Sequence, residues 1–250
     1  MDSRDTLKLR HNQGIKPSTV NREMSFLSVI FGVLTDHRLV EANPYRLSPR
    51  LSEKSGLRSA YIGYNDIVRI TDQCPDWYAD IVWTSCLTGM RRSEITNLRW
   101  RGVNLRKRII TLHATEVKES RHKRIPIHMD LMPMFERLGK IRDLSDDSVF
   151  KVNGHKIDVQ SCKRPGDRAL DKLQFPKPRP RFHDLRHTWL INARVSKTDH
   201  EIRQAILGHS DRMLPVSERY GRISDDELVG AIDMLVTNNG ETEILTAINA

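Results

Sequence analysis

Residues 183–195 read HDLRHTWLINARV, and the fold class follows from this stretch and its neighbours. His183 and Arg186 lie three apart and share one helical face, while Leu185, Trp189 and Asn192 occupy another. The spacing predicts a helix with a polar side and a packed side. A second helix is expected over 199–207, opened by Asp199 and closed by Gly208. Upstream, the Pro- and Lys-rich loop 174–181 (QFPKPRPR) interrupts a helical pattern. Farther back, 64–74 and 77–88 read as helices, the second apolar on most sides (Ile81, Val82, Trp83, Cys86, Leu87) and hence buried. Thr88-Gly89 punctuates it, and a new helix is expected from about 91 to 99. Between the helical blocks Val103 and Leu105, Ile109 and Thr111, and Ile125 and Ile127 alternate, with polar turns between them. That pattern predicts a three-stranded antiparallel meander. After residue 129 the reading returns to helix. Trp77, Trp83, Trp100 and Trp189 are assigned to the core. The fold class is mainly α with a small three-stranded antiparallel sheet.

The flanks are simpler. Val20, Met24, Leu27, Phe31 and Leu34 recur at helical spacing, so 18–35 is an amphipathic helix, with Ser18 after Pro17 as its expected N-cap. Pro and Gly break the periodicity through 42–58, and residues 51–58 are taken as a linker. A short helical N-terminal piece (1–50) thus precedes a larger domain (59–235). Residues 225–235 form a last amphipathic helix, expected to dock on a neighbouring subunit, with its own domain as the alternative. Residues 236–250 read as a flexible tail.

With 250 residues, 38% hydrophobic and 29% charged, the chain has enough apolar content for a real core. No apolar run approaches a membrane span, and MDSRDTLKLR lacks the apolar stretch of a signal peptide. Cys74, Cys86 and Cys162 are odd in number and far apart, which argues against a disulfide framework or a zinc knuckle and fits a reducing cytoplasm. The net charge of +9 is unevenly placed: residues 91–128 hold 11 basic and 3 acidic side chains, and 151–186 hold 10 and 4. Such clustering suits a surface that meets a polyanion. A scattered, solvated basic surface gives the same count.

Several residues have the chemistry to act on a phosphate. A guanidinium beside an imidazole offers planar, charge-assisted hydrogen bonds and a proton carrier, and His183 with Arg186 supplies that pair. On their own, two such residues on a helix are more often ordinary surface residues. Arg91 follows Thr88-Gly89-Met90 at a helix start. Lys118 lies at the expected tip between two strands (EVKESRHKRIPI), His209 follows Gly208 at a helix end, and Tyr220 stands in the polar segment SERYGR.

The order TGMRRSE (88–94), a hairpin lysine before RIPI, HDLRHT (183–188), LGH (207–209) and a later tyrosine resembles the tyrosine recombinases, phage-type integrases in particular. STVNREMSFLSVIF (18–31) is similar to the end of that family's core-binding domain, so the resemblance covers roughly residues 15–235 and makes 1–50 a partial core-binding domain. It implies that Arg91 and Arg186 clamp the scissile phosphate and that Lys118 gives a proton to the leaving 5′ oxygen. It further implies that His183 manages the proton of the nucleophile, that His209 is a second phosphate contact, and that Tyr220 attacks phosphorus to form a 3′-phosphotyrosine. Glu94, Asp184 and His187 are expected as structural support, and Arg92, Arg121, Lys123 and Arg124 as DNA contacts or solvated charges. Expected partners are double-stranded DNA, three further copies in a homotetramer on DNA, and DNA-bending accessory proteins, at the nucleoid in the cytoplasm. No cofactor and no metal are expected. The elementary chemistry agrees: a phenol of pKa about 10 is a weak nucleophile near neutrality, and two guanidiniums offset the charge that builds as it attacks.

Two features depart from the family. Tyr220 lies eleven positions after His209, with Pro215 between them, longer than the usual interval. Only about fifty residues precede the larger domain, where a four- or five-helix core-binding domain is the norm. The alternative reading is therefore a catalytically silent DNA-binding remnant of an integrase. A relaxing enzyme of the type IB topoisomerase kind, with the same phosphotyrosine chemistry, is a third.

Overall fold

The computed structural model describes residues 3–53, 61–113, 122–143, 145–208 and 223–235. Lys118, Arg121, His209, Tyr220 and the tail 236–250 lie outside the described residues. The chain forms two compact units that divide between residues 59 and 60.

The first unit is built on α1 (Ser3–Asn12) and α2 (Pro17–Asp36). The residue at the N-cap of α2 is Lys16, with Pro17 in the first turn, where its missing N–H costs nothing. Ser18 therefore lies inside the helix, one correction to the sequence reading. Of the five spaced apolar residues only Val20 and Met24 are fully buried, packed by Ile15, Tyr45 and Leu51. Phe26, Val29, Ile30 and Val33 form a second apolar stripe that is exposed. Hydrogen bonds compensate for the small core. The Asn21 amide donates to the Leu51 carbonyl and accepts from the Leu51 N–H, both at 2.9 Å. Asn43 donates to the Ser28 carbonyl at 2.7 Å.

The second unit centres on α4 (Asp76–Thr88) and α8 (Phe182–Val195). Around them lie α3 (Tyr64–Thr71), α5 (Arg92–Thr96), α6 (Met132–Lys140), α7 (Lys163–Lys172), α9 (His200–Leu207) and α10 (Asp225–Asp233). The three-stranded sheet has the expected order: β1 (Val103–Asn104) pairs antiparallel with β2 (Ile109–Leu112), and β2 with β3 (Lys123–Pro126). Ile110 faces Ile125 in this register, and both are buried. Trp189, Phe135, Phe150 and Ile81 fill the core with Trp100, while Trp77 and Trp83 are partly buried against it.

A second hairpin, β4 (Lys151–Val152) with β5 (His155–Lys156), corrects the expectation of helix from residue 129 up to the loop 174–181. Its turn residues Asn153 and Gly154 have φ of 51° and 79°. Asn-Gly is the pair that tolerates two positive φ values in a tight hairpin, so this signal was present in the sequence. Helix α10 lies on its own sheet. Leu228 and Ile232 are buried, Arg108 pairs with Asp233 at 2.8 Å, and Arg124 with Asp225 at 2.7 Å. The three cysteines are free thiols, and burial pushes the Cys86 thiol up to about 12. Among the described residues no helix is long and apolar enough to cross a membrane.

Candidate active site

The site begins at a turn. Helix α4 ends at Gly89, whose φ of 67° is left-handed. A Cβ added there would come within 2.9 Å of the Trp189 indole. Only glycine meets both conditions, and the turn it makes delivers Arg91 to the start of α5.

Glu94 holds Arg91 in place. One carboxylate oxygen accepts from the Arg91 backbone N–H at 2.9 Å, the other from its guanidinium Nη1 at 2.9 Å. The first of these oxygens also takes the Lys123 ammonium at 2.9 Å. Both Lys123 and Glu94 side chains are only 3% exposed. Burial by itself would raise the Glu94 carboxyl. The Lys123 charge and the Arg91 N–H outweigh it and hold the carboxyl below its ordinary value. Burial drives Lys123 down to about 8; Glu94 pulls it back up, while the guanidiniums of Arg186 and Arg91 push it down. These four charges therefore lie within Coulombic reach of one another.

Arg186 is 5% exposed, on the inner side of α8. Its Nη1 donates to the Gly89 carbonyl at 2.7 Å and its Nη2 to the Leu207 carbonyl at 2.8 Å. One guanidinium thus ties the end of α4 and the end of α9 to α8. His183, one turn earlier, is exposed, with its ring edge-on to His187 at 4.8 Å between centroids. Partial desolvation, then His187 and Arg186, hold the His183 imidazole below its usual range, with Arg91 adding to the effect. The ring is accordingly neutral at pH 7 and able to accept a proton. Asp184 is buried and accepts from the Arg181 N–H at 2.8 Å, fixing the first turn of α8.

The structure brings Arg91, His183 and Arg186 into one electrostatic neighbourhood, with Glu94 beneath Arg91, Asp184 at the helix start and His187 against His183. Arg92 stands over the Phe182 ring, 5.8 Å from its centroid. Two expected DNA contacts are engaged by carboxylates of the chain itself. Lys123 is a buried ion-pair partner, and Arg124 is engaged by Asp225 and by the Ile223 carbonyl. The alternation of β3 explains the first: Lys123 and Ile125 point to the same, packed side. The sequence reading placed Lys123 among the DNA contacts; its ion pair was not legible there, because its partner Glu94 lies 29 residues away. A cavity of about 260 Å³ between Ile62, Ile67, Tyr78, Val82, Cys162 and Leu185 is mostly apolar and contains none of Arg91, His183 or Arg186. It opens beside Phe182, with Arg92, Arg181, Lys163 and Asp167 also on its wall.

The chain matches the phage integrase family over residues 62–225, a span that holds every element of this site. It belongs to the phage integrase family. Among similar proteins, a putative integrase/recombinase of Haemophilus influenzae is 24% identical over 211 residues, covering 79% of this chain and 54% of that protein. A putative integrase of Pseudomonas phage Pf1 is 25% identical over 231 residues, covering 88% and 62%. This chain thus spans little more than half the length of the curated relatives it matches. The crystal structure of a lambda integrase dimer bound to a COC′ core site shares the fold, with a TM-score of 0.67 at 17% identity over 86% of this chain and 81% of that one.

Proposed function

We propose that this chain is a site-specific DNA recombinase that cuts and rejoins duplex DNA through a 3′-phosphotyrosine, without metal or ATP. One observation carries the reading: the guanidiniums of Arg91 and Arg186 and the imidazole of His183, from the start of α5 and from α8, lie close enough to act on one another electrostatically. In this mechanism Arg91 and Arg186 hold the scissile phosphate and offset the charge that develops on its oxygens. His183 accepts the phenolic proton of Tyr220 as the oxygen attacks phosphorus. Lys118 protonates the departing 5′ oxygen, and His209 contacts the phosphate. The bond to the 5′ oxygen breaks as the bond to the phenolic oxygen forms. A phosphodiester is exchanged for a phosphotyrosine ester, so rejoining needs no outside energy. Four strands must be cut and each chain carries one such tyrosine, so four copies on two duplexes make the working assembly. DNA-bending proteins would assist it, at the nucleoid in the cytoplasm.

The test is covalent capture. The chain is incubated with a pool of nicked random duplexes, and adducts that survive denaturation are recovered and sequenced. The expected result is an adduct on a defined sequence that Tyr220→Phe abolishes. Specific retardation of DNA with no adduct sinks the reading and favours the silent remnant. Relaxation of plasmid at arbitrary sequences favours the topoisomerase-like enzyme. The midpoint of the acid decline in adduct formation should lie below pH 6.5, because His183 holds its proton less tightly than an ordinary imidazole. A decline with its midpoint above pH 6.5 removes His183 from the proton-accepting role.

A further inference from the structure

The ion pair between Lys123 and Glu94 has no part in the chemistry just described, yet it adjoins Arg91. Resting on the recombinase reading, we propose that Lys123 is a positioning residue: its ammonium occupies one Glu94 oxygen, so that Arg91 keeps its charge and its aim toward a bound phosphate.

The geometry gives the reason. A carboxylate and a guanidinium form a two-pronged pair when nothing competes, with two parallel N–H donors on the two oxygens. Here one Glu94 oxygen receives Arg91 Nη1, while the other is shared by the Arg91 backbone N–H and Lys123 Nζ. The ammonium therefore stands where a second prong of the Arg91 fork would reach. Charge adds to geometry. One carboxylate between two cations leaves the trio with a net positive charge, whereas Glu94 with Arg91 alone sums to zero. Glu94 and Lys123 are nearly sealed from water, so little solvent screening softens the difference. Removing the ammonium would let Glu94 close on Arg91 and cancel the attraction a phosphate should feel.

The experiment uses the 250-residue chain and the nicked duplex recovered by covalent capture on it. Adduct formation is followed in a single turnover at saturating protein, and DNA affinity is measured separately at one salt concentration. Lys123→Met is expected to slow adduct formation about a hundredfold, the scale of losing one preorganised donor, with a far smaller change in affinity. Lys123→Arg should restore most of the rate. The deciding variant is Glu94→Gln with Lys123→Met. If the lysine acts by holding a carboxylate off Arg91, deleting that carboxylate should recover at least tenfold of the loss. A merely structural lysine predicts no recovery. A folded double variant no faster than Lys123→Met overturns the inference, as does a Lys123→Met chain as fast as the original. Should Lys123→Met not fold, the double variant is compared with the original chain, and a deficit beyond about a hundredfold overturns it. If the unaltered chain forms no adduct at all, the recombinase reading falls and this inference with it. An adduct without recovery in the double variant removes the inference alone.

Discussion

The two units of this chain are held together by different means. The second surrounds α4 and α8 with a continuous apolar core in which Trp189, Phe135 and Ile81 are inaccessible to solvent. The first buries little beyond Val20 and Met24, and clips its loop to α2 through the side chains of Asn21 and Asn43. Burial scales with the apolar area removed from water and tolerates local change, whereas a clip depends on single donors and acceptors. The lesson is that stability and chemistry are concentrated in the same unit. The charged basin rests directly on the best-packed helix pair, and its arginine at 186 reads out the positions of both helix ends.

The largest effect that could break this contrast is at Trp189. Trp189→Ala should cost the second unit about 3–5 kcal/mol, seen as a lower urea midpoint of its unfolding transition. A loss below about 1 kcal/mol would mean that the core is less continuous than its burial implies. Next is Asn21→Ala, expected to cost the first unit about 1–3 kcal/mol by stranding the Leu51 N–H and carbonyl, while the second unit's transition stays put. A shift of both transitions together would show that the units do not unfold independently.

Acid sharpens the contrast further. The Glu94 carboxyl lies below its ordinary 4.5 in the folded state, so as pH falls below 4.5 the unfolded chain binds that proton first. Stability from Glu94 is thus present above pH 4.5 and lost as pH falls through the lower, folded value. The second unit's midpoint should drop over that range, and the Glu94→Gln, Lys123→Met pair should lessen the drop. An unaltered slope in the pair would assign the acid sensitivity elsewhere. The smallest effect is expected at Phe26, which is 65% exposed on α2. Phe26→Ser should change stability by no more than about 0.5 kcal/mol, checked by the same denaturation curves. A greater loss would reveal that the exposed stripe is packed in solution.

Much of this architecture was legible in the chain. Local periodicity found α2, α4, α8 and α9 to within a few residues, because each buries a stripe set by residues three and four apart. Strict alternation found the meander, and Asp199 and Gly208 cap α9 as read. Missed features fall into two physical kinds. Helix α1 has only a weak apolar pattern, and the Asn153-Gly154 hairpin joins strands of two residues each, too short for alternation to register. The other kind is non-local. Nothing in the neighbourhood of Lys123 announces that Glu94 will meet it, nor does Arg186 announce the carbonyls of Gly89 and Leu207. For the site, motif order located Arg91, His183 and Arg186 one by one, while their shared setting depends on α5 and α8 meeting in space.

The anchoring of Arg186 has an evolutionary corollary. A side chain that staples two helix ends, and in the proposed mechanism also holds the phosphate, cannot be exchanged for another cation, since an ammonium has no planar fork with which to span two carbonyls. Substitution at 186 would therefore damage the scaffold together with the chemistry. Copies of this gene drifting toward inactivity through that position should disappear as misfolded chains, leaving few sturdy but idle descendants.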